Sequence, residues 1–228
     1  MDYLHQFVFG IYPYIALSIF LLGSLIRFER EQYSWKSESS QLVYRGNLRL
    51  GNILFHVGVL GLFFGHLVGL LTPLSVWEAL GVTHSFKQVF AMTAGGIMGS
   101  LGLVGLLILL HRRLTSQRLA ANTTWRDKLV LLWLLATLLL GLCTIAVSAQ
   151  HLDGHEMVLL MTWAQHVVTF RGDAAQYIVA ASPIFKLHLF MGMSVFVIFP
   201  FTRLVHVWSG FGALAYLGRA WQLVRPRA

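Results

Sequence analysis

Charge is what this chain has least of. Only 11% of its 228 residues are charged, and just nine are acidic. A soluble domain carries about 25% charged residues and needs them for its polar shell. An ordinary soluble enzyme is therefore excluded, and so is a disordered chain, which would need low hydrophobicity. Cysteine is nearly absent as well. Cys143 stands alone, so the chain cannot close an internal disulfide, build a cysteine zinc site or ligate an iron–sulfur cluster. There is no low-complexity tract and no internal repeat.

What fills the chain is apolar. The set AVILMFWYC makes up 57% of it, and the mean hydropathy is +0.68. Five stretches reach the roughly 20 apolar residues that a bilayer crossing requires: 7–26, 50–71, 89–110, 129–149 and 184–208. Hydrocarbon supplies no water to backbone amides, so each is expected to be a helix, with Pro13 and Pro200 tolerated where neighbours satisfy the freed carbonyls. The expectation is an all-α polytopic membrane protein with residues 1–228 in one domain. The first span has no basic leader and no small-residue cleavage site after it, so it reads as a retained helix and not as a signal peptide.

The basic residues set an orientation. The formal net charge is +8, and fourteen of the seventeen Lys and Arg fall on one side of the spans. They are Arg27, Arg30, Lys36, Arg45 and Arg49, then Arg112, Arg113, Arg118, Arg126 and Lys128, then Arg203, Arg219, Arg225 and Arg227. Only Lys87, Arg171 and Lys186 fall on the other. Positive residues stay in the cytoplasm, which predicts an outer N-terminus and a cytoplasmic C-terminus. The basic balance thus reports topology, with anionic lipid as a further use, and not nucleic acid. The connection 150–183 is too long for a simple turn and is expected to hold a short helix along the outer surface.

Ten histidines are unusual in so apolar a sequence. Four lie within spans: His56 and His66 on the second, His188 and His206 on the fifth. An ionisable group inside a membrane costs a few kcal/mol and marks a functional site by default, and imidazole is a common axial ligand of haem iron. At 1.5 Å per residue His56 sits about 9 Å into its span and His66 about 15 Å further out. The fifth span runs the other way, so His188 lies near the outer surface and His206 about 27 Å deeper. Depth therefore pairs His66 with His188 outside and His56 with His206 inside, as two bis-histidine haems would require. His188 and His206 are eighteen residues apart, five full turns, and share a face, whereas His56 and His66 are about 80° out of phase. The competing explanation is helix–helix hydrogen bonding or a proton path.

Gly58, Gly61, Gly65 and Gly69 on span two, with Gly192 on span five, leave room for a flat macrocycle beside the histidines. Two overlapping GxxxG motifs would equally serve helix packing. Arg112, Arg113 and Arg203 lie near the inner level, where they can pair with haem propionates or simply anchor the cytoplasmic side. Lys87 opens span three on the side poor in positive charge. There it can hydrogen-bond a quinone oxygen or snorkel to the interface. His5, His84, His111, His151, His155 and His166 read as interfacial or hydrogen-bonded residues.

These strings together resemble a known family. IYPYIA, LFHVG, GHLVGLLTP, KQVFAMTAGG, SAQHLDGHEM, WAQHVVTF, FKLHLFMGM, FPFTRLVHVWS and the tail WQLVRPR occur in that order. The chain is similar over nearly its whole length to the gamma (cytochrome b) subunit of bacterial membrane-bound respiratory nitrate reductase. The resemblance implies a five-helix inner-membrane subunit with two b haems on His56, His66, His188 and His206. It implies quinol oxidation beside the outer haem, with Lys87 in the quinol site and Gly65, Gly69 and His66 bordering it. It implies an outer haem of lower potential. It also implies a cytoplasmic iron–sulfur beta subunit and a molybdenum-containing alpha subunit, where nitrate is reduced. Two alternatives stand beside it: a cytochrome b subunit of a related quinol-linked complex with another acceptor, and a haem-free membrane anchor or transporter.

Overall fold

A computed structural model describes residues 2–31, 47–121 and 123–209. Lys36, Arg45, Arg219, Arg225, Arg227 and the WQLVRPR tail lie outside the described residues, and so do parts of the single domain expected over 1–228. Among the described residues all regular structure is helical. The elements are α1 (Tyr3–Gln6), α2 (Tyr12–Arg30), α3 (Leu48–Leu71), α4 (Leu74–Ala79), α5 (His84–Thr115), α6 (Gln117–Ala121), α7 (Trp125–Ser148), α8 (His155–Val168) and α9 (Pro183–Ile198). A π-turn at Phe7–Ile11 joins α1 to α2. Among the described residues five helices are long and apolar enough to cross a membrane: Tyr3–Arg30, Leu48–Leu71, His84–Thr115, Trp125–Ser148 and Pro183–Phe201. Large apolar side chains on these helices stay uncovered by the rest of the chain, such as Leu22 at 59% and Leu25 at 61% exposure.

Local chemistry sets the helix ends. Thr83 caps α5 by accepting from the Phe86 amide at 3.2 Å. Thr124 and Asp127 form a reciprocal capping box on α7, satisfying two orphan amides. Gly154 starts α8 at φ +78°, a left-handed conformation that glycine adopts without penalty, and a Cβ there would strike His84. Pro13 has no N–H, so the Phe9 carbonyl loses its usual helical donor. Trp163 on α8 replaces it, its indole Nε1 donating to the Phe9 oxygen at 2.9 Å. This is the satisfaction from a neighbouring element that a proline inside a span demands.

The helices form an arc. α3 lies along α5, α5 against α7, α7 against α9 and α9 against α2, while among the described residues α3 and α9 share no packed seam. At the α3–α5 crossing the backbones nearly touch. A Cβ on Gly58 would come within 2.5 Å of the Met98 carbonyl oxygen and 2.6 Å of the Gly102 Cα, and one on Gly61 would meet the Met98 side chain. Gly58 and Gly61 therefore serve helix packing, which corrects the expectation that all four span-two glycines clear a cofactor.

Span five and the long connection also differ from expectation. The fifth helix does not continue to 208. It ends at Ile198, passes through 3₁₀ turns at Phe199–Phe201 and Arg203–Val205, and Thr202 between them is extended. Pro200 cannot donate to the helix ladder, so carbonyls are freed there. The connection does contain a helix, α8, but it is no surface strip. Met161, Trp163, Ala164 and Val167 are buried. Trp163, Ala164 and Val167 join Phe9, Ala174, Ala175, Ile178 and Ala181 in one of two apolar clusters. The other, Leu106, Val130 and Leu131, is packed by Phe55, Leu138, Ile198 and Leu204. α8 is further tied to the end of α3 by Gln165, which donates to the Leu70 and Thr72 carbonyls at 3.0 and 3.2 Å.

Candidate functional site

The four intramembrane histidines meet in two pairs across the space between α3 and the α9 side of the bundle. The His66 and His188 rings stand 6.1 Å apart, centre to centre, and so do the His56 and His206 rings. Two imidazoles gripping one iron from opposite sides would be roughly 6.4 Å apart for metal–nitrogen bonds of about 2.0 Å. The ring planes meet at 44° and 72°, so neither pair is stacked face to face.

The ring nitrogens are sorted in the same way in all four. His56 Nδ1 lies 2.8 Å from the Asn52 carbonyl oxygen and His66 Nδ1 2.7 Å from that of Leu62. His188 Nδ1 lies 3.1 Å from the Thr137 carbonyl and His206 Nδ1 2.7 Å from that of Arg203. A carbonyl can only accept, so each Nδ1 is the donor and Nε2 is the nitrogen left to meet a ligand. This is the arrangement that orients histidine for metal. Only two protein donors converge at each place, and no group of three His, Cys, Asp or Glu does so among the described residues. Tetrahedral zinc would need more protein donors. An iron that brings four equatorial ligands of its own needs only these two.

The break after Ile198 explains how both pairs close. On a regular α3 the two histidines are about 15 Å apart along the axis, while eighteen residues of straight helix would span about 27 Å. His206 sits beyond the break, so its height and direction are released from the phase of His188. Five whole turns of an unbroken helix would keep His206 on the face of His188 but would overshoot the level of His56 by about 12 Å.

A Cβ on Gly65, Gly69 or Gly192 would have nothing within 4 Å, so these three glycines, unlike Gly58 and Gly61, face open space. Gly141 on α7 serves differently. A Cβ there would sit 2.9 Å from the His188 ring, so its absence seats that imidazole.

Lys87 comes to the His66–His188 end. It is only 6% exposed. Its ammonium donates to the Gly69 carbonyl at 2.9 Å, lies 2.7 Å from Met161 Sδ and stands 4.7 Å from the centre of the Trp77 ring. It is thus held to the α3 backbone three residues beyond His66 and does not snorkel. Next to it, Gln88 donates to the Ser148 and His151 carbonyls and accepts from the Gly154 amide. Nothing in the sequence pattern singles out this staple, which fixes the α7–α8 turn against α5.

At the His56–His206 end Arg112 is buried on α5. Arg203 Nε donates to Asp127 Oδ1 at 2.7 Å, and Arg113 lies 3.7 Å from the other carboxylate oxygen. The remaining histidines are engaged elsewhere. His5 Nε2 is 2.8 Å from the Ala175 carbonyl oxygen, His84 is 3.6 Å from Glu78, and His166 bonds Asp173 at 2.7 Å. His111, His151 and His155 are exposed. The His166 bond is the chief reason that the Asp173 carboxyl is held below its ordinary range.

Known proteins are similar to this chain over its whole length. The family described as nitrate reductase gamma subunit matches residues 5–227. The chain is 49% identical over 227 residues to the respiratory nitrate reductase 1 gamma chain of Escherichia coli (strain K12), covering 100% of both. It is 46% identical to the respiratory nitrate reductase 2 gamma chain of the same organism, covering 100% of this chain and 99% of that one. It is 35% identical over 224 residues to the nitrate reductase gamma chain of Bacillus subtilis (strain 168), covering 98% and 99% respectively.

Proposed function

The chain belongs to the nitrate reductase gamma subunit family, and on that premise we propose that it is the dihaem, quinol-oxidising subunit of a respiratory nitrate reductase complex. The observation that carries this reading is the pair of matched imidazole couples, each 6.1 Å apart with its Nδ1 atoms committed to carbonyls. His66 and His188 hold the outer haem, and His56 and His206 the inner one. When bound, two b haems accept and release single electrons at two depths of the membrane.

The protein's own residues do the rest. Quinol binds at the outer end, against Lys87 and beside His66, with Gly65 and Gly69 giving its ring access to α3. An ammonium has three donors. Two of Lys87's face Gly69 and Met161, which leaves one for a quinol oxygen. That donor holds the oxygen in place and favours its negative charge as the hydroxyl proton leaves. Oxidation of one quinol yields two electrons and two protons. The protons are released to the outer side and the electrons travel inward, so turnover contributes to the proton-motive force. The excess of Lys and Arg on the opposite side supports an outer N-terminus and a cytoplasmic C-terminus in the bacterial inner membrane. Arg112 and Arg203, at the inner level, bind propionates. The electrons leave to a cytoplasmic iron–sulfur beta subunit, and nitrate is reduced on a molybdenum-containing alpha subunit.

The haem-free transporter reading is disfavoured by the uniform Nδ1 ties, since a proton path needs imidazoles free to exchange both nitrogens. A reduced-minus-oxidised optical spectrum of the purified protein tests the proposal. A b-type α band amounting to two haems per chain is expected. Its absence refutes the reading.

A further inference from the structure

The break in span five exposes backbone carbonyls where the bilayer offers no water to receive them. One side chain answers for two of them. A terminal guanidinium nitrogen of Arg27, on α2, donates to the Pro200 oxygen and to the Thr202 oxygen, both at 2.8 Å. The rest of that α2 face is shaped to the same segment. Gly23, one turn earlier, lets the Pro200 ring lie on the helix: a Cβ there would be 2.8 Å from Pro200 Cγ and 3.0 Å from its Cβ. Phe20, a further turn back, packs edge-on against Phe199 at 4.8 Å and stacks on Trp208 at 5.3 Å. Phe20, Gly23 and Arg27 follow the i, i+3, i+7 spacing of one helical face.

The held segment ends in a haem ligand. His206 takes its ring orientation from the Arg203 carbonyl, one residue beyond the second oxygen that Arg27 grips. Resting on the dihaem reading above, we infer that Arg27, seated by Gly23, is the positioning residue that sets His206, and with it the inner haem alone. Its charge lies on the side crowded with basic residues, where an anchoring role would look sufficient. The two carbonyl bonds give it a second role. His188 is fixed independently, by Thr137 and Gly141 of α7, so the outer haem does not depend on this clamp.

The experiment uses membranes carrying the full complex. Haem content is measured, and the low-spin haem signals are followed through a redox titration. H206Q and H188Q identify which signal belongs to each haem. R27A is expected to shift or abolish the H206Q-sensitive signal, with haem falling from two towards one per chain. The H188Q-sensitive signal should keep its position and potential. R27K, which retains charge but not the planar fork, should restore part of the inner signal. G23A keeps every atom of the clamp and should displace the same signal by a smaller amount, so it decides the matter if R27A fails to accumulate. The inference is overturned if the inner signal matches wild type in both R27A and G23A, or if the outer signal moves as far. Wild-type membranes lacking haem signals would instead defeat the dihaem reading itself and this inference with it.

Discussion

Glycines of one helix should respond oppositely to the same substitution. Gly58 and Gly65 lie on the same helix, α3, but only Gly58 meets another backbone. A methyl at 58 would sit 2.5 Å from the Met98 carbonyl oxygen and 2.6 Å from the Gly102 Cα. Neither atom can swing aside, so α3 and α5 must separate by about 1 Å to restore ordinary contact. Overpacking of a tight interior costs about 1–3 kcal/mol, and a rigid backbone neighbour places Gly58→Ala at the upper end. Alanine recovers roughly 1 kcal/mol of helix propensity, leaving a net loss of about 2 kcal/mol. For a chain of this size that lowers the melting temperature by about 4–8 °C. Gly65→Ala collects the propensity gain with no clash in the polypeptide, so it should leave protein melting unchanged or slightly raised. It would add a methyl one residue from His66, in open space, so its cost should appear as altered haem spectra or quinol reactivity. Thermal unfolding in detergent, followed by circular dichroism, reads the first effect, and optical spectra read the second. The reasoning fails if Gly58→Ala melts with wild type, or if Gly65→Ala melts as low as Gly58→Ala.

Lys87→Ala should slow haem reduction by added quinol at least tenfold, about 1.4 kcal/mol for a charged hydrogen bond, with both haems retained. Stopped-flow reduction traces that overlay wild type would remove it from the quinol site. Trp163→Phe strands the Phe9 carbonyl and should cost about 1–3 kcal/mol, read as a lower melting temperature. Pro13→Ala in that background returns a backbone N–H, and recovery of most of the loss is expected. The Asp173 carboxyl is depressed chiefly by the His166 hydrogen bond. Its contribution is therefore complete above the unfolded value of about 3.9 and is lost as pH falls through the lower folded value. Amide exchange around residues 166–178 should speed up in that acid window, and His166→Ala should abolish the change.

Hydropathy made the five crossings legible, because length and apolarity alone decide them. Depth along two antiparallel spans made the histidine pairing legible too. The break at Pro200 was not, since a proline inside a span can end a helix or merely bend it, and only Arg27 reaching its carbonyls reveals which. The four span-two glycines look alike in sequence. They divide into packing and clearance only once α5 is laid beside Gly58 and Gly61. The role of α8 was hidden for a related reason. Its apolar run reads as a surface strip until Trp163 is seen supplying the donor that Pro13 removes from Phe9.

The arc of helices bears on how such a subunit matures. With no seam between α3 and α9, the polypeptide can finish threading all its crossings while a slot between those two helices is still ajar. On the dihaem reading proposed above, a prosthetic group arriving late would fasten α3 to α9. On that reading a chain that never receives one keeps the slot ajar, and unfinished copies should be cut by added protease faster than finished ones.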